Sequence, residues 1–376
     1  MLRKKLAAPI CFLVLVCMSG CAPKQKQQEY ITIGALLPLT GEDSDEGLRA
    51  LNGLQLAKKE INESGGVLGK KLDVIALNDR GNEEYIVQQY NILKERGVAA
   101  IIGSSYSGVT LALAKAAEKD GLPIISPTAS NPEVTKGRRN VFRATFVDDY
   151  QAEVMAYFAS NALNAKTALV LRNESSGSFT HAAGVFAAFF AANGGKIAAM
   201  ESYSTENDFS RILEKYVQAA PDVIYCPEDF IPAARLVNTA YALGFPGIVL
   251  GSDAWDGLLA YVTQPEAMEN VYYSAPFSHD DQDKEVMLFV SNYFNLFSQM
   301  PLSGSAAAYT CVYVLEEAIK KAGTINKSEI VSAIKATDLN MVTGSIKFDE
   351  NNNPHPNVYI IQIKGGGYSS YMKLSL

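Results

Sequence analysis

The stretch AAIIGSSYSGVTLALAKAAEKDGLPIISPTASNPE, residues 99–133, decides the fold of this chain. An apolar run at 99–102 ends in a hydroxyl-rich turn at 103–108, and a helical pattern follows. A second apolar run, 122–125, ends in another hydroxyl-rich turn at 126–130. This is a strand–helix–strand unit, and in a parallel sheet both turns lie at the carboxyl edge, where ligands bind. Backbone N–H groups, hydroxyls and a helix N-terminus favour an anion, so the stretch predicts a carboxylate clamp without a catalytic base.

The same alternation of strands and helices continues along the chain. A helix predicted at 47–64 is expected to bury Leu48, Leu51, Leu54, Ala57 and Ile61 at three- and four-residue spacing. Alternation of this kind predicts an α/β fold with doubly wound parallel sheets, and its repetition before and after residue 147 predicts two lobes. The predicted strands are 31–36, 72–77, 99–102, 123–125, 141–143, 167–171, 196–202, 223–225, 248–250, 271–274 and 358–363.

The N-terminus predicts export. Three basic residues precede an apolar stretch at 6–18, which is shorter than the roughly 20 residues of a membrane span. The ending Met18-Ser19-Gly20-Cys21 resembles a bacterial lipobox. We therefore expect residues 1–20 to be a lipoprotein signal peptide, Cys21 to carry the lipid, and residues 21–28 to be a flexible tether. Ordinary signal cleavage nearby is the alternative.

The charge of the chain argues against nucleic acid as a partner. Formal net charge is −7, and three of the 33 basic residues but none of the acids lie in 1–20. The mature chain therefore keeps 30 basic against 40 acidic residues, near −10, without a basic cluster. We expect Cys226 and Cys311, each isolated in an apolar segment, to be buried free thiols.

Patterns for enzymes and cofactors are weak. The histidines at 181, 279 and 355 are scattered without metal-ligand spacing, and no Gly-x-Ser-x-Gly sequence occurs. The segment GGVLGK at 65–70 superficially suggests a phosphate loop, but it is one residue short, lacks Ser or Thr after the lysine and follows a helix. We predict no catalytic residues, no metal site and no cofactor.

Six segments, in order between residues 31 and 364, resemble the bacterial branched-chain-amino-acid-type binding proteins, the extracytoplasmic receptors of ABC importers. They are IGALLPLTGEDSDEG, AKKEINESGGVLGKKLDV, IIGSSYSGVT, ISPTASNPEVT, NVFRATFVDDYQ and GSDAW. The resemblance implies the type I periplasmic-binding-protein fold, with a three-strand hinge crossing near 147–150, 275–277 and 347–353. It implies lobe one at 29–147 plus 278–349, lobe two at 148–277 plus 350–376, and hinge closure over a ligand.

The resemblance also implies a set of ligand contacts. Ser107, Thr128 and Ser130 match positions where the family holds a ligand carboxylate through hydroxyls and backbone groups. Asp253, in Gly251-Ser252-Asp253, matches an acid that receives an α-ammonium. Together these residues imply an α-amino acid whose two charges bridge the lobes. The alternative is that the serines and Asp253 only cap turns and helices.

The expected side-chain pocket departs from the branched-chain pattern. Positions that are aromatic in the family match Glu46, Ser176 and Asp229 here, which implies a polar, acidic pocket that disfavours leucine and favours a polar or cationic ligand. Trp255 and Tyr150 would supply an apolar wall, although a lone tryptophan is more often core and Glu46 is as readily a solvated loop acid. Arg143 is interpreted as a structural ion-pair partner.

We therefore predict an ABC-transporter substrate-binding lipoprotein. It would capture a polar amino acid or similar small zwitterion in an interlobe cleft and deliver it to a permease. It would be exported, lipid-anchored on the outer side of the cytoplasmic membrane or in the periplasm, and monomeric. One alternative is a ligand-sensing module for a membrane signalling receptor. Another, an enzyme on the same scaffold, is opposed by the missing nucleophile and base.

Overall fold

A computed structural model of the protein describes residues 30–41, 44–356, 358–364 and 366–375. The predicted signal peptide (1–20), the tether (21–28) and the predicted lipidation site Cys21 lie outside these ranges. No helix in the described ranges combines the length and the apolar character that crossing a membrane requires.

The first sheet forms mainly from apolar strands that are buried on both faces, as the interior of a doubly wound sheet requires, while its edge strand at 71–78 is half-buried. All of its pairings are parallel, and the strand order is β2-β1-β3-β4-β5. Its strands are β1 (Tyr30–Leu37), β2 (Lys71–Asn78), β3 (Ile101–Gly103), β4 (Ile124–Ser126) and β5 (Val141–Arg143). The connecting helices are α1 (Ser44–Glu63), α2 (Glu83–Glu95) and α3 (Ser107–Ala117).

Two apolar layers cover the faces of this sheet. Alternate side chains of β1, such as Ile33 and Ala35, pack in one cluster, and Leu36 packs in the other. Three late helices and a small antiparallel hairpin contribute to the first of these clusters. They are α8 (Lys284–Phe297), α9 (Ser303–Ala322), α10 (Lys327–Lys335), β11 (Asp338–Met341) and β12 (Gly344–Lys347). We call this unit lobe one.

The second sheet repeats the arrangement and adds two antiparallel strands at one edge, in the order β14-β13-β10-β9-β8-β6-β7. Its strands are β6 (Thr167–Asn173), β7 (Lys196–Tyr203), β8 (Val223–Tyr225), β9 (Ile248–Gly251), β10 (Val271–Ala275), β13 (Val358–Lys364) and β14 (Gly367–Leu374). Its helices are α4 (Asp148–Tyr157), α5 (Gly177–Ala192), α6 (Asp208–Tyr216) and α7 (Phe230–Ala242). We call this unit lobe two.

Within the described ranges the chain passes between the two sheets three times, after β5, after β10 and after β12. The first connection ends at Asp148, where α4 begins, so the expected crossing strand at 147–150 is already helical at its end. The α/β fold with two parallel-sheet lobes is confirmed. The lobe boundaries at 147/148, 277/278 and 349/350 stay predictions.

Every predicted strand is present, with ends shifted by two residues or fewer. The polar, half-exposed strand β14 and the hairpin of β11 and β12 were not predicted. The prediction that α1 buries Leu48 is wrong, because Leu48 is 44% exposed. Gly47 and Ala50 occupy the buried face at that end of the helix instead. Cys226 and Cys311 are buried free thiols, as predicted.

Candidate functional site

A cavity of about 270 Å³ lies between the carboxyl edges of the two sheets. The strand order reverses once in each sheet, between β1 and β3 in the first and between β6 and β8 in the second. Doubly wound sheets bind ligands at such points. The wall is formed by loops and helix starts that follow the strands next to these points. They comprise Glu46, Ser105, Tyr106, Ser107, Gly108, Thr128, Ser130, Ser176, Ser178, Phe179, Asp229, Phe230, Asp253, Ala254, Asp256, Pro276, Ser303 and Gly304.

The lobe-one wall is built from the two hydroxyl-rich turns. They are fastened to each other by side-chain hydrogen bonds: Ser126 Oγ donates to the Ser104 carbonyl (2.8 Å) and Thr128 Oγ1 to the Ser105 carbonyl (3.0 Å). The Asn131 N–H donates to Ser107 Oγ (3.2 Å). The Ser107 and Thr128 side chains thus hold the wall together as well as facing the cavity, and the Ser107 hydroxyl hydrogen stays available to donate to an anion.

Arg143 supports this wall from behind. Its fully buried guanidinium donates to the carbonyls of Ala129 and Asn131, at 2.7 Å each, and to Thr135 Oγ1 at 3.1 Å. Burial lowers the pKa of Arg143 to about 10, although the charges of Asp148 and Asp349 oppose the change. The structural role predicted for Arg143 is thus exerted through hydrogen bonds that fix the carbonyls of the turn at 126–131, and Asp148 and Asp349 are the acids whose charges act on it.

The lobe-two wall is held in the same way by a buried acid. Glu228 accepts from Asn173 Nδ2 (2.7 Å), from the backbone N–H of Asp229 (2.9 Å) and from the Tyr203 hydroxyl. Asn173 ends β6 and Asp229 precedes α7, so one carboxylate joins the two turns that flank the switch point of the second sheet. Glu228 is not among the residues predicted from the sequence.

Asp253 is oriented by Gln151, which is also not among the residues predicted from the sequence. Gln151 Nε2 donates to Asp253 Oδ1 (2.9 Å) and to Asp148 Oδ1 (3.0 Å). Its Oε1 accepts from the Asp253 N–H (3.0 Å) and from the Ser274 hydroxyl (2.8 Å). A single amide therefore bridges two carboxylates and presents Asp253 to the cavity. Burial and the neighbouring charge of Asp148 raise the pKa of Asp253 to about 7.

Glu46 lies on the opposite side, on the first turn of α1. Its carboxyl group rests against Gly304 at the start of α9, where an added Cβ would collide with Oε1. Burial raises the pKa of Glu46 to about 7, with Arg49 opposing the shift and Asp256 adding to it. The absence of a side chain at Gly304 is what gives the Glu46 carboxylate its place.

Asp256 connects the two lobes. Its Oδ2 accepts from the backbone N–H of Ser303 (2.7 Å), the first residue of α9 in lobe one. Its Oδ1 accepts from the Tyr273 hydroxyl (3.2 Å) of β10 in lobe two. Leu302, at the N-cap position of α9, gives no side-chain cap, so an aspartate of the other lobe supplies it. The Arg49 guanidinium packs beside the same loop, against Gly257.

Seven of the nine predicted binding residues line this one cavity: Ser107, Thr128, Ser130, Asp253, Ser176, Glu46 and Asp229. Two do not. Trp255 is 0% exposed and packs in the apolar core of lobe two, with its ring against Gly251, so the expected wall is core. Tyr150 packs at the edge of the other core cluster of lobe two, with its ring 6.3 Å from that of His355.

The cavity wall carries an excess of negative charge. Four carboxylates line it, from Glu46, Asp229, Asp253 and Asp256, while no lysine, arginine or histidine of the described ranges does so. A search of the same ranges finds no group of three His, Cys, Asp or Glu side chains placed to hold a metal ion. The arrangement has donors on one wall and carboxylates on the others, which suits a ligand with separated negative and positive groups.

Comparison with known proteins gives a consistent result. A family model described as periplasmic binding protein matches residues 30–368. The chain is 28% identical over 310 residues to the Leu/Ile/Val-binding protein BraC3 of Rhizobium johnstonii, covering 80% of this chain and 82% of that protein. It is 25% identical to the leucine-, isoleucine-, valine-, threonine- and alanine-binding protein of Pseudomonas aeruginosa, covering 89% of each chain.

Solved structures agree with the fold. The leucine binding protein LivK of Thermotoga maritima superposes with a TM-score of 0.83 at 28% identity, covering 92% of this chain and 99% of that one. The branched-chain amino acid transporter substrate binding protein LivJ of Streptococcus pneumoniae, solved with isoleucine, gives 0.85 at 27% identity, covering 93% and 100%.

Proposed function

Because the chain belongs to the periplasmic binding protein family, whose members bind solutes rather than catalyse reactions, we propose that it captures an amino acid with a polar side chain for an ABC permease. The ligand carboxylate would meet the turns that carry Ser107, Thr128 and Ser130. Its α-ammonium would meet Asp253. The observation that supports this most strongly is the placement of these four residues around one interlobe cavity.

The wall supports a polar ligand over leucine. The relatives are named for leucine, isoleucine and valine, and one also for threonine and alanine. In this chain Glu46, Ser176 and Asp229 lie in the wall together with the clamp residues. An aliphatic side chain against the Glu46 carboxyl group would remove water from it and offer no hydrogen-bond donor, which costs free energy. A side chain with hydrogen-bond donors avoids that cost.

Calorimetric titration of the purified protein with the common amino acids tests this proposal. We expect polar amino acids to bind and Asp253→Asn to weaken their binding by about 10- to 100-fold, as loss of a charged hydrogen-bond acceptor does. Asp338→Asn, in the exposed hairpin of β11 and β12, is the matched control and should leave affinity unchanged. Tighter binding of leucine than of every polar amino acid would contradict the proposal.

We further propose that the protein is exported and anchored by lipid on Cys21. The support is the sequence alone, from the basic start through the short apolar stretch to Met18-Ser19-Gly20-Cys21. The mass of the protein extracted from membranes should exceed that of residues 21–376 by the acyl groups. A mass that corresponds to unmodified Cys21 would contradict anchoring.

A further inference from the structure

The charges around the cavity exceed what one zwitterion offsets. Asp253 is assigned to the α-ammonium, and Asp256 already accepts from the Ser303 N–H and the Tyr273 hydroxyl. Glu46 and Asp229 also line the wall, and the cation that acts on Glu46 is Arg49, which lies outside the lining. A neutral amino acid would place no positive group beside the Glu46 carboxyl group.

Gly304 leaves room for the Glu46 carboxyl group. This carboxyl group occupies the space above Gly304 that any other residue's Cβ would fill. Gly304 is buried in the second position of a 20-residue helix, where alanine has the better intrinsic propensity. Position 304 therefore has glycine, the one residue type that leaves space for an acid of α1 to reach the cavity wall.

A second observation points to a ligand group with hydrogen-bond donors at the same place. The Ser303 side chain is 5% exposed, and its Oγ has no hydrogen-bond partner within the described part of the chain. Ser303 precedes Gly304 and lines the cavity. A buried hydroxyl normally has a partner, so its lone pairs are available to a donor that is bound beside Glu46.

We propose that the ligand carries a second positive charge, that is, a dibasic amino acid whose side-chain ammonium or guanidinium binds Glu46 and the Ser303 hydroxyl. This inference rests on the proposed function, because it places the α-carboxylate and α-ammonium at the clamp and Asp253. Asp229, on the lobe-two wall, adds to the negative potential of the cavity. A cationic group supplies several donors, which matches one carboxylate plus one hydroxyl.

Calorimetric titration with two pairs of amino acids isolates this charge. L-Arginine and L-citrulline have nearly the same shape but differ in charge, and L-norleucine is L-lysine without its terminal ammonium group. We expect the cationic member of at least one pair to bind about tenfold or more tightly than its neutral partner, since a charged hydrogen bond gives a factor of this size. Agmatine, which is arginine without its carboxylate, should bind weakly.

Two variants assign the preference to the Glu46 site. Glu46→Gln should bring the cationic and neutral members of the pair within about threefold of each other, and Gly304→Ala should do the same by displacing the carboxylate. Glu133→Gln, an exposed acid of lobe one outside the cavity, is the control and should keep the full preference.

The outcomes separate this inference from the proposed function. Equal binding of both members of each pair would overturn it, as would an equal loss for both members in Glu46→Gln. If serine, glutamine or leucine binds while the cationic members gain nothing, only the second charge is rejected. If no amino acid binds, or agmatine binds as tightly as arginine, the amino-acid function itself is rejected.

Discussion

At the scale of single residues, neighbouring residues determine how the acids of the cavity are oriented and how readily they ionise. Asp253 is fixed at both its backbone and its side chain by Gln151, which also binds Asp148. Glu46 depends on the missing side chain of Gly304. In both cases enclosure by protein makes ionisation costly until a cation arrives, so these acids respond to a ligand through their protons as well as through contact.

The raised pKa values predict a pH dependence of binding. Asp253 and Glu46, each with a pKa of about 7 in the ligand-free protein, must ionise to bind an ammonium or guanidinium group. Affinity for the amino acid should therefore increase as pH rises towards about 8, by up to tenfold per pH unit for each proton released. Calorimetry in buffers of different ionisation enthalpy would count those protons. Affinity that is flat between about pH 5.5 and 8 would contradict the prediction.

The same shift has the opposite effect on the stability of the ligand-free protein. In the unfolded chain these acids ionise near pH 4, so between about pH 4 and 7 the folded state binds more protons than the unfolded state. The contribution of the two acids to the free energy of unfolding is therefore greatest below about pH 4 and decreases as pH rises to about 7. Ligand at saturation should remove much of this decrease.

At the scale of elements, most of the fold could be predicted because its strands are apolar runs that end in turn residues. The edge strand β14 and the hairpin of β11 and β12 could not, since their residues are largely polar and partly exposed, and the two hairpin strands have only four residues each. The error at Leu48 has a related cause. The buried stripe of α1 contains Gly47, Ala50 and Gly53, and residues with a methyl group or no side chain carry little hydrophobic signal.

The contact between α1 and α9 makes a prediction about glycine. Gly53 lies within α1, and an added Cβ would collide with the backbone carbonyl oxygen of Ser305. Gly53→Ala should therefore lower the free energy of unfolding by about 1–3 kcal/mol, although alanine is the better helix former. Denaturant unfolding measures this change.

Gly184 provides the matched control in the middle of α5. A Cβ at this position meets nothing within 4 Å, so Gly184→Ala should raise the free energy of unfolding by about 0.5–1 kcal/mol. Equal effects of the two substitutions would show that α1 and α9 do not pack as closely as described.

The candidate site divides in the same way between predictable and unpredictable parts. The turn residues Ser107, Thr128 and Ser130 follow strands that the sequence shows, so their meeting at one sheet edge could be predicted. The Gln151 network could not, because Gln151 meets Asp253 and Ser274 across 102 and 123 residues of chain. Trp255 was expected in the cavity wall but lies in the core, because the sequence does not reveal which side of a turn faces the core.

At the scale of the whole molecule, a hydrogen bond joins Asp256, in a loop of lobe two, to the start of α9 in lobe one. Separation of the lobes would remove the acceptor from the Ser303 N–H, so this contact favours the arrangement seen here. Asp256→Ala should weaken amino-acid binding by about three- to tenfold, mainly through faster dissociation, as loss of a helix cap suggests. Stopped-flow kinetics and small-angle X-ray scattering would measure this effect.

Asp283 gives the control within a single lobe. It caps α8 by accepting from the Glu285 N–H (2.9 Å) without touching the cavity. Asp283→Ala should therefore lower the stability of lobe one while leaving ligand dissociation unchanged. An equal change of dissociation rate in both variants would show that Asp256 acts only as a local cap.

The two buried cysteines give each lobe its own internal reporter. Cys311 lies in the core of lobe one and Cys226 in the core of lobe two, and burial raises the pKa of both thiols. Neither thiol can react with an alkylating reagent until the lobe around it opens. Pulsed alkylation followed by peptide mapping would therefore time the opening of each lobe separately in one unmodified chain, and would show whether a ligand bound between the lobes slows both openings together.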